Sequence, residues 1–398
     1  CLRDVLEYLE RFAFDADALD YLAEQKLLSD DFLHYLAGLR FAGQVWAIPE
    51  GRIFFRDEPA LELTAPIIQA QIVETFIINQ IHLQSLIASK AARCVHSAGG
   101  RPVVDFALRR THGTDAGMKV ARASYLAGFA GTSNVLAGQR YGIPVVGTMA
   151  HSFVSSFAHE IDAFRAYAAS FPNSAVLLID TYDTLAGARN AVQIAKEMAA
   201  RGQKLIGVRI DSGDLAAQAR EVRKIFDDAV LSEVKIFGSG GLDEFDLAAM
   251  SESNTPYDSY GVGTKMGTSA DAPWTDMSYK LVAYRDQPML KLSPGKISCP
   301  GKKQVFRQHD IQGNLQRDLI GLRDEKISGE GLLREVMRDG KIIGQQPSLL
   351  ESRATFTAEF ALLPKDVKAI RNPRRYEVEY TAKLKSLQDE TIEKLVRS

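Results

Sequence analysis

AVLLIDTYDTLAGARNAVQIAKEMAARGQKLIGVRIDSGDL, residues 175–215, decides the fold. An apolar run, AVLLI, stops at an aspartate. Residues near 187–201 then carry apolar side chains at helical spacing. A second apolar run after KL, IGVRI, stops at another aspartate. Short strands alternating with helices make a parallel sheet, because the chain must cross back before the next strand begins.

The alternation extends in both directions. PVVDFAL (102–108) is a strand ahead of a helix near 115–129, and IPVVGTMA (143–150) is a strand ahead of a helix after His151. Beyond a helix near 214–228, VKIFGSGGL (234–242) precedes a helix near 243–252, and SYGVGTKM (259–266) is the last strand. Every strand ends in polar or glycine-rich residues. In a closed β/α (TIM-like) barrel such ends converge on one face, and that face carries function. The expected fold class is α/β with a β/α barrel; an open doubly wound sheet is the alternative. Residues 2–40 read as short helices, 44–64 as strands around the turn PEGR, and 66–92 as one long helix. Strand-like alternation returns over 277–380, in YKLVAY, MLKLS, QVFRQHD and YEVEYT, and KLKSLQDETIEKLV reads as a closing helix. The simplest assembly joins 1–95 and 277–398 into a second domain flanking the barrel, 96–276.

The composition, 46% apolar and 25% charged over 398 residues, is that of a globular chain long enough to bury a large core without staples. A net charge of −2 without charged blocks gives no bulk attraction to nucleic acid or membrane, so positive charge for an anionic ligand must be local. Cys1, Cys94 and Cys299 are far apart, which excludes a disulfide framework and a zinc site and fits a reducing cytoplasm. The apolar stretch 65–92 is interrupted by Gln69, Gln71, Glu74, Asn79, Gln80, His82 and Gln84 and is no membrane span. No signal peptide is visible. The chain opens at Cys1 directly into a helical pattern, so a true N-terminus ahead of Cys1 is expected.

The strand ends carry the chemistry. DFALRRTHG (105–113) holds Phe106 and Arg109: an aromatic platform beside a cation, or a core phenylalanine with solvated arginines. LLIDTYDT (177–184) brings Asp180 and Asp183, and GVRIDSGDL (207–215) brings Arg209, Asp211, Ser212 and Asp214. A carboxylate ending an apolar strand is costly unless a cation or donor meets it. One such aspartate could cap a helix. Two successive strands ending this way point to a metal or a polyhydroxyl ligand, and aspartate oxygens suit a magnesium ion shared with substrate phosphates. FGSGGLDE (237–244) and YGVGTKM (260–266) are successive glycine-rich turns whose backbone N–H groups can approach an anion. Barrels commonly bind phosphate after their last two strands; glycine is also the default turn residue. GTSNVLAG (131–138) offers Ser133 and Asn134, as donors or as a helix cap. Of the seven histidines, only His151 stands at a strand end with candidate carboxylates on the next two strands. A carboxylate on one ring nitrogen makes the other a better nucleophile or base.

Taken in order, DFALRRTHG, GTSNVLAG, YGIPVVGTMAHSFV, LLIDTYDT, VRIDSGDL, SGGLDE and YGVGTKM resemble the nicotinate phosphoribosyltransferase family. VLEYLERFAF, FAGQVWAIPEG and APIIQAQIVET join the resemblance, which covers roughly residues 2–285 and fades beyond. It implies a type II phosphoribosyltransferase: an irregular β/α barrel with an α/β sandwich domain built from the N- and C-terminal segments. The implied reaction joins nicotinate to phosphoribosyl pyrophosphate, giving nicotinate mononucleotide and pyrophosphate in NAD salvage. ATP hydrolysis would be coupled through a phosphohistidine, with magnesium, in a homodimer with shared active sites. On this resemblance Phe106 stacks on the pyridine ring, Arg109 lies near ring and phosphate, and Ser133 donates to the nicotinate carboxylate. His151 is the phosphorylated histidine, and Asp180 orients it or binds through metal. Arg209 and Asp211 hold ring and ribose, Asp211 also as a metal ligand. Ser239, Gly240, Gly241, Gly263 and Thr264 cradle the 5′-phosphate. Two departures stand out. The family's N-terminal TDxY-type segment, whose tyrosine reaches the partner's site, is absent, so the chain is trimmed or that wall is lost. Cys299 stands alone where some archaeal relatives carry a cysteine cluster, so no zinc is expected. The rival readings are a nicotinamide or quinolinate phosphoribosyltransferase and a non-catalytic nucleotide-binding homologue.

Overall fold

Strands apolar on both faces belong inside a covered parallel sheet. The computed structural model, which describes residues 1–293 and 298–397, has such a sheet. Its strands are β1 (Val103–Asp105), β2 (Gly131–Thr132), β3 (Val176–Leu178), β4 (Gly207–Ile210), β5 (Lys235–Gly238) and β6 (Ser259–Val262). All pair in parallel, in the order β2-β1-β6-β5-β4-β3. Leu177, Leu178, Val208, Ile210, Ile236, Tyr260 and Val262 are all buried. Helices Thr114–Leu126, Glu160–Ser170, Thr184–Ala199, Leu215–Asp228 and Glu244–Glu252 make the crossovers.

The α/β class and its parallel sheet hold, but no closed backbone ladder links the described residues. The ladder ends at β2 on one side and β3 on the other. The reason lies in IPVVGTMA, which is not a strand. It meets β2 only around Thr132, whose N–H donates to the Pro144 carbonyl at 3.0 Å and whose carbonyl accepts from Val146 N–H at 2.9 Å. Pro144 has no N–H to give, and β2 is only two residues long. The chain therefore runs on unpaired to His151.

The chain divides into two compact units, Gln84–Trp274, which holds this sheet, and Cys1–Leu83 with Thr275–Ser398. The first division falls after residue 83 rather than after residue 95, both inside the helix Glu74–Ser97, and the second after residue 274 rather than 276. The second unit has two four-stranded sheets. Strands Gln44–Ala47 and Leu61–Thr64 flank the PEGR turn and pair with each other; Gln44–Ala47 also pairs with Arg334–Arg338, which pairs in turn with Lys341–Ile342. Lys303–His309 and Leu315–Leu322 form the centre of the other sheet, with Glu330–Gly331 and Val378–Tyr380 at its edges. Of YKLVAY and MLKLS only a short pairing exists, Ala283–Tyr284 with Gln287–Pro288. The expected helix over 66–92 is two helices, broken at Val73. Residues 294–297 and 398, inside the expected C-terminal segment, lie outside the described residues. Among the described residues no helix is long and apolar enough to cross a membrane.

Candidate active site

The site grows from one row of the sheet. Arg209 on β4 stands beside Phe237 on β5 in register. Val208 and Ile210 point to the opposite face and are fully buried, so the guanidinium takes the other side. Each fork of Arg209 is used. Nε donates to Ser239 Oγ at 2.7 Å, Nη1 to Thr148 Oγ1 at 2.9 Å and Nη2 to Asp211 Oδ1 at 2.5 Å. The guanidinium also lies 5.2 Å from the centroid of the Phe106 ring. That ring packs obliquely on Phe237, with centroids 5.7 Å apart. Gly261 on β6 makes this possible: a Cβ there would lie 2.8 Å from the Phe106 ring and 3.0 Å from Phe237.

The cation expected beside Phe106 was Arg109, and here the structure differs. β1 stops at Asp105 because its carboxylate takes the Ala107 N–H at 2.8 Å and the Thr132 hydroxyl at 2.7 Å. The chain then turns into a short 3-10 segment, Leu108–Arg110, and Arg109 is exposed. Arg209 occupies the place over the ring. Burial pushes the Asp105 carboxyl up, against its two hydrogen bonds.

The paired aspartates separate into two roles. Asp183 and Asp214 cap helices, accepting from Ala186 N–H at 2.7 Å and Ala217 N–H at 3.0 Å. Asp180 and Asp211 face the site. Asp180 is buried, and its Oδ2 accepts from Asp211 N–H at 2.9 Å and Ser212 Oγ at 2.7 Å. Its Oδ1 is buried without a hydrogen-bond partner among the described residues. Burial works to raise the Asp211 carboxyl, but the Arg209 charge, the Ser239 hydroxyl and His151 outweigh it and hold it below the usual aspartate range.

His151 opens the short helix His151–Ser155, one residue past the unpaired segment, with its ring 43% exposed. Nδ1 lies 3.1 Å from Thr181 Oγ1. Nε2 faces both carboxylates, 3.9 Å from Asp180 Oδ1 and 3.8 Å from Asp211 Oδ2. These are approach distances rather than hydrogen bonds. His151, Asp180, Arg209 and Asp211 therefore do converge, with Phe106.

The glycine turns are more mixed. Gly240 has φ +105, and a Cβ would sit 1.9 Å from the Asp211 carbonyl oxygen, so only glycine fits. Gly241 has φ +70 with open space around it. Ser239 is buried and spent internally: its N–H donates to the Ile210 carbonyl, and its hydroxyl donates to Asp211 Oδ1 at 2.5 Å. Its donors are committed where a phosphate ligand was expected. Gly263 lies against the Phe106 carbonyl, and Thr264 is exposed at the start of the next turn. Asn134 caps the helix Val135–Tyr141, accepting from Ala137 N–H at 3.1 Å, which leaves the Ser133 hydroxyl uncommitted among the described residues. Thr148 and Thr181 were missed by sequence reasoning. The usable signal was position: each is a hydroxyl within three residues of a strand-end candidate.

The fold and the site define a parallel α/β protein whose carboxylates, arginine and glycine turns gather where the strands end, the arrangement of sugar-phosphate enzymes. Family models described as nicotinate phosphoribosyltransferase N-terminal domain, family and C-terminal domain match residues 1–82, 102–285 and 328–388. The chain is 50% identical over 370 residues to a nicotinate phosphoribosyltransferase of Mycobacterium tuberculosis, covering 93% of this chain and 79% of that one. It is 32% identical to the human protein of that name, over 97% and 87% of the two chains. The crystal structure of human nicotinic acid phosphoribosyltransferase superposes with a TM-score of 0.88 at 29% identity, covering 98% of this chain and 91% of that one. A nicotinate-nucleotide pyrophosphorylase from Pyrococcus furiosus gives 0.71 at 27% identity, over 81% of each chain. The chain belongs to the nicotinate phosphoribosyltransferase family.

Proposed function

We propose that this chain joins nicotinate to phosphoribosyl pyrophosphate, releasing pyrophosphate and forming nicotinate mononucleotide, an entry step of NAD salvage in the cytoplasm. The observation that carries the reading is the convergence of Phe106, Arg209, Asp211, Asp180 and His151 in a chain half-identical to a protein of that name. In this reaction the ring nitrogen of nicotinate attacks the anomeric carbon as the bond to pyrophosphate breaks. The enzyme must hold the two reactants in line and stabilise charge as it develops. The Phe106 face is the platform for the pyridine ring. Arg209, fixed by its three hydrogen bonds, supplies positive charge beside it, and the exposed Arg109 meets phosphate from the turn. Ser133 donates to the nicotinate carboxylate. The backbone of Gly240, Gly241, Gly263 and Thr264 receives the 5′-phosphate, with Ser239 supporting the turn from beneath.

Magnesium fits the residues present. Asp180 Oδ1 is an orphaned buried acceptor, and Asp211 Oδ2 faces the same histidine nitrogen. Among the described residues no group of three or more candidate ligands forms a ready cage, which suits an ion that keeps waters and takes phosphate oxygens. When bound, magnesium neutralises charge on the pyrophosphate. ATP enters as co-substrate through His151: a ring nitrogen forms a bond to the γ-phosphorus, and the bond to the leaving ADP breaks. Asp180, Asp211 and Thr181 orient the ring for this.

The segment 143–150 and the sheet are read as the wall of an irregular barrel, the other unit as an α/β sandwich domain, and the protein as a homodimer with shared sites. The Arg209–Thr148 and His151–Thr181 contacts across the ladder gap are what favour the barrel wall in this reading. The purified protein should convert labelled nicotinate and phosphoribosyl pyrophosphate to the mononucleotide, faster with ATP, and should take up label from γ-labelled ATP in acid-labile, alkali-stable form. His151→Ala should lose the label and the ATP stimulation while keeping slow ATP-independent synthesis. Label that persists in His151→Ala sinks the histidine assignment, and an absence of mononucleotide formation from nicotinate sinks the function.

A further inference from the structure

The helix Glu244–Glu252 follows the turn at Gly240 and Gly241, yet its first turn is closed to anions. Asp243 Oδ1 accepts from Phe245 N–H at 2.9 Å and Asp246 N–H at 3.0 Å, and Asp243 N–H donates to Asp246 Oδ2 at 3.0 Å. This capping box takes the Asp243, Phe245 and Asp246 N–H groups that a phosphate could otherwise use. It also leaves two carboxylates just past the glycine turn, where they repel an incoming dianion.

A single cation answers both. Lys265 Nζ is 2.8 Å from Asp243 Oδ2 and 3.1 Å from Asp246 Oδ2. Lys265 follows Gly263 and Thr264 directly, so its ammonium ties the turn after β6 to the turn after β5. The bond to Asp243 holds the ammonium above the usual lysine range. Its side chain is 41% exposed, so changing it leaves no buried hole.

We propose that Lys265 is a positioning residue for the sugar-phosphate substrate: it fixes the spacing of the two glycine turns and cancels the charge of the capping-box aspartates, without itself touching the phosphate. The proposal rests on the reading of these turns as the phosphate site, and it explains how a phosphate can be received beside an acidic capping box.

Ribose 5-phosphate binding, followed by calorimetry, probes the turn without the full reaction. Lys265→Gln should bind it about tenfold more weakly at low salt, the size of one uncompensated charge acting through a water-like dielectric at the exposed turn. The gap to the unaltered protein should narrow as salt is raised. The KM for phosphoribosyl pyrophosphate should rise in parallel with kcat little changed, and Lys265→Arg should restore both. The deciding variant combines Lys265→Gln with Asp243→Asn and Asp246→Asn. Asparagine also caps helices well, so the helix start survives, and affinity should return close to that of the unaltered protein. If the triple variant binds as poorly as Lys265→Gln alone, cancelling the aspartate charge is not what Lys265 does and the proposal fails. It also fails if Lys265→Gln binds normally while Gly241→Val, which intrudes on the turn itself, weakens binding; the phosphate reading then stands. If Gly241→Val binds normally too, the phosphate reading falls and the proposal with it.

Discussion

Replacing Arg209 by lysine keeps the charge and removes the geometry. The guanidinium holds Ser239, Thr148 and Asp211 at 2.7, 2.9 and 2.5 Å from three different nitrogens in one plane. A lysine ammonium is a point charge on a flexible stem and can keep the Asp211 contact, but it cannot reach all three partners at once. Two charge-assisted bonds are then lost, each contributing about 1.5–3 kcal/mol. The side chain is 15% exposed, so water restores part of this, and a net destabilisation of about 2–4 kcal/mol is expected. The effect on activity should be larger in proportion. Arg209 also lies over the Phe106 ring, and small displacements of positioning groups cost around a hundredfold in rate. Urea denaturation and steady-state kcat/KM for nicotinate on Arg209→Lys measure the two effects. An Arg209→Lys protein with an unchanged urea midpoint and unchanged kcat/KM would refute the view that the fork organises the site.

Ser133→Asp should discriminate acid from amide. A carboxylate about 4 Å from the nicotinate carboxylate, at an effective dielectric of about 20, repels it by about 4 kcal/mol, so nicotinate use should fall close to a thousandfold while any nicotinamide use falls far less. Equal losses in competing-substrate assays would show that Ser133 does not read the substituent. The depressed Asp211 carboxyl predicts an acid limb of stability. Its contribution is present above the ordinary aspartate value of about 3.9 and is lost as pH falls through the lower folded value. The urea-midpoint difference between the unaltered protein and Asp211→Asn should therefore stay level from neutral pH to about 4 and narrow only below that; narrowing that begins near neutrality would contradict it.

The alternation of strands and helices was legible because each strand is an apolar run that ends in a polar group, a pattern set by burial on both faces. The same rule misled over IPVVGTMA. Its apolar run is real, but Pro144 lacks a donor and its neighbour β2 ends after Thr132, so no ladder forms. Burial patterns report which face is apolar; they do not report whether a partner strand is long enough. At the site, Asp180, Asp211 and Phe106 could be picked out because a strand end fixes where a side chain emerges; His151 was picked on an expected strand that does not form, and it reaches the same place from an unpaired segment. The choice between Arg109 and Arg209 could not. It turns on Asp105, whose carboxylate ends β1 early by taking the Ala107 N–H, a local hydrogen bond with no periodicity to betray it. Nor could the sequence show that the Ser239 hydroxyl, just past the end of β5, bonds inward to Arg209 and Asp211.

The unpaired stretch before His151 has a consequence for how the protein can change. Beyond Val146 it is tied across the gap by side chains, Thr148 to Arg209 and His151 to Thr181, rather than by backbone rungs. Those tethers are the groups that surround the reaction. Local rigidity here thus depends on the same side chains that the proposed reaction uses. If the proposed site is right, a substitution at Thr148 or Thr181 should slacken this segment at the same point where it slows turnover, so that robustness and rate are coupled along this stretch.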